Sequence, residues 1–154
     1  MSEVEKKALA LGLTIPEAPK PVAAYVPGVK SGDLIYTSGQ LPIVAGELKY
    51  KGTVGDDVSE EAGYEAAKTC ALNCLGVIKG IIGDLDMIEQ VVKVTGFVNS
   101  APGFAMQPKI INGASDTLVA LFGEKGLHAR SAVGVKGLPL NSACEVEMIV
   151  RVRS

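Results

Sequence analysis

The sequence predicts an α+β sandwich in which two long helices lie on one face of a sheet. Two stretches, Ser59–Ile82 and Pro108–Phe122, carry apolar residues at helical spacing. Four β-rich runs, Asp33–Ser38, Gln90–Val98, Ser131–Val135 and Ala143–Val152, lie before, between and after them. The resulting order is arm, strands, helix, strand, helix and two strands, with no internal repeat.

Taken along the chain, Ser2–Gly12 forms a short helix, with Val4, Ala8 and Leu11 at helical spacing and Gly12 as its stop. Pro16, Pro19, Pro21 and Pro27 then impose an extended path through Val29, because each proline also drives its predecessor out of the α region. Residues 1–20 are therefore expected to be a helix and an arm laid over one domain, 1–154. Asp33–Ser38 is a strand entered by the Ser31-Gly32 turn. Gly39-Gln40-Leu41-Pro42 interrupts it, and Ile43–Ala45 with Leu48–Tyr50 makes a hairpin around Gly46-Glu47. Asp57 and Glu60 have capping-box spacing at the start of the first long helix, with Ser59 as a rival cap. Ala67, Cys70, Ala71, Cys74, Ile78 and Ile81 form its apolar face. Pro108 suits the first position of the second helix, whose stripe is Ile111, Ala114, Leu118 and Leu121. The last two strands are joined by the turn Gly137–Asn141.

Composition narrows the function classes. With 154 residues, 47% hydrophobic and 21% charged, the chain can bury a core. Aromatics are 5% with no Trp, and 15 Lys+Arg against 17 Asp+Glu give a net charge of -2, which argues against nucleic acid as a partner. One His and three Cys are too few for most metal chemistry, and no nucleotide motif is present, so no metal or cofactor is expected. No apolar run reaches membrane-span length. The odd cysteine number, without a secretory leader at the N-terminus, sets the expectation of a cytoplasmic protein with free thiols.

Strand alternation singles out the polar groups. Arg130, Ala132, Gly134 and Lys136 share one face of their strand, while Ser131, Val133 and Val135 share the other, which is expected to be core. Arg130 then has two very small neighbours and space beside its guanidinium, which suits a carboxylate or phosphate. A salt bridge at the sheet end is the competing role. On the last strand Cys144, Val146, Met148 and Val150 form the apolar face, and Glu145, Glu147 and Arg151 lie opposite. A cross-strand Lys or Arg is the usual partner for such a carboxylate. Cys70 and Cys74 are expected in the core, His128 in a polar loop, and Ser38-Gly39 in an ordinary turn.

Several stretches together resemble the RidA family of reactive-intermediate deaminases, also called YjgF or L-PSP. They are Tyr25 in AAYVPGV, GDLIYTSGQLP at Gly32–Pro42, VVKVTGFV at Val91–Val98, ARSAVGV at Ala129–Val135 and LPLNSACEVEMIV at Leu138–Val150. The combination is more specific than any piece, runs in family order from about Pro21 to the C-terminus, and looks like a longer branch with a HARS motif.

The resemblance implies a chorismate-mutase-like α+β fold: a mixed sheet, two helices on one face, and three sheets closing a trimeric barrel. It implies hydrolysis of enamines and imines such as 2-aminoacrylate to 2-keto acids and ammonia, without cofactor, in pockets between subunits of a homotrimer. Arg130 matches the arginine that holds the substrate carboxylate, and Glu145 the acid that positions the attacking water. Tyr25 and Ser38 match the pocket tyrosine and serine, and Asn112 a pocket asparagine. Two residues depart from the pattern. His128 replaces a proline, and Ala132 replaces a cysteine, which enlarges the pocket and implies a shifted substrate preference. A non-catalytic binder of small carboxylates is the alternative; an endoribonuclease is disfavoured by the acidic charge and single His.

Overall fold

In the computed structural model, which describes residues 1–18 and 24–153, the chain runs α1 (Glu3–Ala10), β1 (Gly28–Ser31), β2 (Leu34–Thr37), β3 (Ile43–Val44), β4 (Glu47–Leu48), α2 (Glu60–Ile82), β5 (Ile88–Asn99), α3 (Gln107–Phe122), β6 (Ala129–Val135) and β7 (Cys144–Val152). Five strands form one sheet in the order β1-β2-β7-β5-β6, and β3 and β4 form a separate hairpin. The β5–β6 pair is parallel, connected through α3, and the other ladders are antiparallel, so the sheet is mixed.

Alternation along β5 and β7 explains the layering. Val91, Val94 and Val98 of β5 and Cys144, Val146, Met148 and Val150 of β7 are buried, as are Cys70, Ala71, Cys74 and Ile78 of α2 and Ile111, Ala114 and Leu118 of α3. These residues belong to one hydrophobic cluster between helices and sheet. Each fully buried Ile or Leu in it contributes about 1.5–3 kcal/mol relative to exposure. The opposite sheet face carries Tyr36, Phe97, Val133, Glu145 and Glu147, and no described element covers it; Tyr36 and Val133 are each 43% exposed.

Local signals account for most boundaries. The α2 stripe is buried from Ala67 to Ile78, while Ile81 at its end is 38% exposed. Ser59 is its cap, its hydroxyl accepting from Ala62 N–H at 3.1 Å. The capping box expected from Asp57 and Glu60 does not form, because the Asp57 carboxylate accepts the Thr53 N–H at 2.6 Å instead. A capping box appears on α1, where Ser2 and Glu5 satisfy each other's backbone N–H groups. Val4 and Ala8 are buried as expected, but Leu11 follows the helix end and is 52% exposed. The β3–β4 hairpin turns through Ala45 and Gly46, both at positive φ (52° and 80°), as in a type I′ turn.

Strand β1 departs from the expected arm. Gly28–Ser31 pairs antiparallel with β2, from Gly28↔Thr37 to Ser31↔Leu34. Its composition carries no alternation because it is an edge strand with three exposed residues, held by its partner's backbone. Part of the arm is as expected: Pro16 and Ala18 pass over α2 where Gly76 and Gly80, four residues apart, leave a groove. Pro19 and Pro21 lie outside the described residues.

Candidate functional site

Arg130 stands on β6, the edge strand opposite β1, in register with Val94 of β5, which in turn faces Met148 of β7. Val94 and Met148 are both buried, so Arg130 shares the helix-covered face. This reverses the orientation expected for β6. Ser131, Val133 and Val135 are on the open face, and the space expected over Ala132 and Gly134 is partly filled. Ala132 packs on the core, and a Cβ on Gly134 would sit 2.7 Å from Gln107 Nε2 and 2.9 Å from Ser100 Oγ. At Gly134 the small residue leaves room for the Gln107 and Ser100 side chains. Alternation identifies two faces but not which one the helix covers, and the valines pointed the wrong way.

What surrounds the guanidinium comes from α3. Arg130 Nη1 donates to Asn112 Oδ1 at 2.8 Å and to Ser115 Oγ at 3.1 Å. Asn112, singled out from the sequence, therefore meets Arg130. Ser115 and His128 were missed as members of this cluster: His128 Nε2 lies 2.9 Å from Ser115 Oγ, and Nδ1 lies 2.6 Å from the Gly126 carbonyl oxygen. The available signal was spacing. Asn112 and Ser115 are three apart on a helix, His128 and Arg130 two apart along the chain at β6, and each pair shares a face.

Glu145 belongs to a second cluster. It lies on the open face of β7 opposite Phe97 of β5, and no ion pair holds it among the described residues. The cross-strand cation expected for this carboxylate is therefore absent among them. Burial pushes its carboxyl above the usual carboxylate range, and the negative charge of Glu147 adds to the effect. Gln40 exchanges backbone hydrogen bonds with Val146 at 2.8 and 3.0 Å, which sets the preceding Gly39 directly against Glu145. A Cβ on Gly39 would lie 2.6 Å from Glu145 Oε2. Next to it, Ser38 Oγ donates to the Val26 carbonyl at 2.8 Å and Ser38 N–H to the Pro27 carbonyl at 2.7 Å. Those bonds fix the segment bearing Tyr25, which is 61% exposed.

The sequence-derived residues thus form two groups, Arg130 with Asn112 and Glu145 with the Tyr25–Gly39 side. Arg130 and Glu145 occupy opposite faces of one sheet, so a single chain does not bring them together. The cysteines contribute no reactive thiol: all three are free and buried, with Cys70 Sγ 3.7 Å from Cys144 Sγ. Burial pushes the Cys74 thiol up to about 12. Among the described residues no group of three His, Cys, Asp or Glu is placed to hold a metal, and no helix is long and apolar enough to cross a membrane.

Fold and clusters together define an α+β sandwich protein with an arginine-centred polar cluster at a sheet edge and a perturbed carboxylate on the opposite face. The family described as YjgF/chorismate mutase-like, putative endoribonuclease, matches residues 5–152, and the chain belongs to this YjgF/RidA family. Protein TCP17 of Trypanosoma cruzi is 42% identical over 147 residues, covering 94% of this chain and 91% of that protein. The 2-iminobutanoate/2-iminopropanoate deaminase of Salmonella typhimurium is 33% identical over 134 residues, covering 86% of this chain and 90% of the enzyme. Among solved structures, the Agrobacterium tumefaciens protein Atu1372, of unknown function, superposes with a TM-score of 0.93 at 43% identity, covering 98% and 93% of the two chains.

Proposed function

We propose that this chain is a deaminase that hydrolyses reactive imines, and the enamines that tautomerise to them, to 2-keto acids and ammonia. Its sites would form between subunits of a homotrimer, with Arg130 of one subunit facing Glu145 of the next. The observation that carries this reading is the state of Arg130: among the described residues only Nη1 is engaged, by Asn112 and Ser115, at an edge strand with no described neighbour beyond it. A guanidinium so held favours a carboxylate, and a charged hydrogen bond to it contributes about 1.5–3 kcal/mol.

The chemistry needs little beyond placement. An imine carbon is already electrophilic, so the protein orients the substrate and supplies a water. Glu145, with its raised carboxyl pKa, is suited to accept the water proton as oxygen bonds to carbon. The carbinolamine then loses its C–N bond, nitrogen leaves as ammonia with the protons gained, and the C=O of the 2-keto acid forms. No oxidant or reductant enters this balance. Ser38 would hold Tyr25 at the mouth of the neighbouring half-site. The iminobutanoate/iminopropanoate deaminase named among the relatives supports the substrate class.

RNA cleavage, present in the family's description, draws less support from this site. The one histidine is committed to Ser115 and Gly126, which leaves no histidine pair for proton transfer. The test generates 2-aminoacrylate and 2-iminobutanoate in situ with an amino-acid dehydratase and follows 2-keto acid release. Acceleration over buffer is expected; none with any imine of the panel would refute the proposal. Ligand binding without turnover would favour the carboxylate-binder reading.

A further inference from the structure

The Arg130 guanidinium is held by a directed chain of hydrogen bonds. The Gly126 carbonyl oxygen can only accept, so His128 Nδ1, 2.6 Å away, carries a proton. In the neutral ring Nε2 is then an acceptor, and the Ser115 hydroxyl donates to it across 2.9 Å. A lone pair of the same oxygen receives Arg130 Nη1–H at 3.1 Å. Donation thus runs one way, from Arg130 through Ser115 and His128 to Gly126. Asn112 Oδ1 takes the other Nη1 proton at 2.8 Å. Both Nη1 protons are committed, while Nε and Nη2 make no hydrogen bond among the described residues. Together they form a side-on fork that matches the two oxygens of a carboxylate.

We propose that Ser115 and His128 are positioning residues that lock Arg130 so that its Nε/Nη2 fork is presented to the ligand carboxylate. The inference rests on the carboxylate-binding role proposed for Arg130. Neither residue contacts the ligand in this scheme. An arginine on a long stem loses rotamer freedom when it binds, and fixing Nη1 beforehand removes part of that loss. The carboxylate is held equally in ground and transition states, so the effect belongs in affinity rather than in the chemical step.

Titration calorimetry with 2-oxobutanoate, together with imine kinetics, reads this in the full chain. Ser115→Ala and His128→Leu should each weaken binding and raise KM by about five- to tenfold, with kcat within about twofold. His128→Gln, whose amide oxygen can accept from Ser115, should stay within about twofold of the parent. Because the groups act in series, the double variant Ser115→Ala/His128→Leu should be no weaker than Ser115→Ala alone. Unchanged Kd and KM in folded Ser115→Ala and His128→Leu would overturn the proposal. Arg130→Lys separates the two levels: if it loses binding while those variants keep it, positioning fails and the ligand role of Arg130 stands. If Arg130→Lys also binds normally, the underlying ligand role fails. Should the variants not fold, nitrogen NMR of the unaltered chain at pH 8 decides. A proton on Nδ1 and a bare Nε2 are expected, and a proton on Nε2 would contradict the chain of donation.

Discussion

The carboxylate of Glu145 lies against the α-carbon of Gly39, where a side-chain carbon would sit 2.6 Å from Oε2. Two backbone hydrogen bonds between Gln40 and Val146 hold the glycine there, so an added methyl must push the glutamate side chain rather than move the glycine. Gly39→Ala should displace the carboxylate from the site. Turnover is expected to fall at least about tenfold, while stability should change little because the glutamate side chain can rotate away. A crystal structure and a rate measured on the same variant check this; an unmoved Glu145 with normal turnover would refute it.

Glu145 also links stability to pH. Burial raises its carboxyl pKa in the native protein, so between the ordinary carboxylate range and the raised value the native state binds more protons than the unfolded state. Stability therefore falls as pH rises through that window, and the ionised group remains a cost at neutral pH. Glu145→Gln should raise Tm at pH 7, with the difference closing by about pH 3 where both states are protonated. The same variant should lose turnover. Loss of turnover with a lowered Tm at pH 7 would mean the carboxylate is stabilising, contrary to this account.

The opposite-face placement of Arg130 and Glu145 predicts complementation. Arg130→Ala and Glu145→Gln subunits, each inactive alone, should regain activity when unfolded together and refolded as mixed trimers, because some interfaces then contain both native residues. Sedimentation of the parent chain checks the trimer itself. A monomer in solution, or mixtures that stay inactive, would contradict shared sites.

The arm groove gives a stability test whose sign is informative. In an isolated helix Gly76→Ala would gain up to about 1 kcal/mol from propensity. Here the added methyl would meet the Pro16 carbonyl oxygen at 2.5 Å, backbone that cannot rotate aside. Gly76→Ala should therefore lower Tm and expose the Pro16–Ala18 segment to proteolysis. A raised Tm would show that the arm is not seated on α2.

Much of this architecture was legible because its signals are periodic. The stripes Cys70–Cys74–Ile78 and Ile111–Ala114–Leu118 face the core as their spacing required, and Cys144–Val146–Met148–Val150 alternate into it. The edge strand β1 was not legible, since its partner's backbone rather than its own side chains makes it a strand. The orientation of β6 failed for a related reason: Ala132 and Gly134 lie on the helix-bearing face, and smallness alone does not say whether side chains or empty space lie above. At the candidate site, strand alternation singled out Arg130 and Glu145 and the family resemblance added Asn112, whereas the joining of Ser115 and His128 to Arg130 emerges only from the helix-to-strand contact.

Arg130→Lys tests the central claim most directly. Lysine keeps the charge but not the planar fork, so bidentate carboxylate recognition is lost. Imine hydrolysis, with 2-aminoacrylate generated in situ, should be accelerated by the parent chain, and kcat/KM should fall by at least about tenfold in the variant, equivalent to roughly 1.4 kcal/mol. Stability and oligomeric state measured on the same samples should be nearly unchanged. An unchanged kcat/KM in a stable Arg130→Lys protein would remove Arg130 from the site, and the deaminase assignment with it.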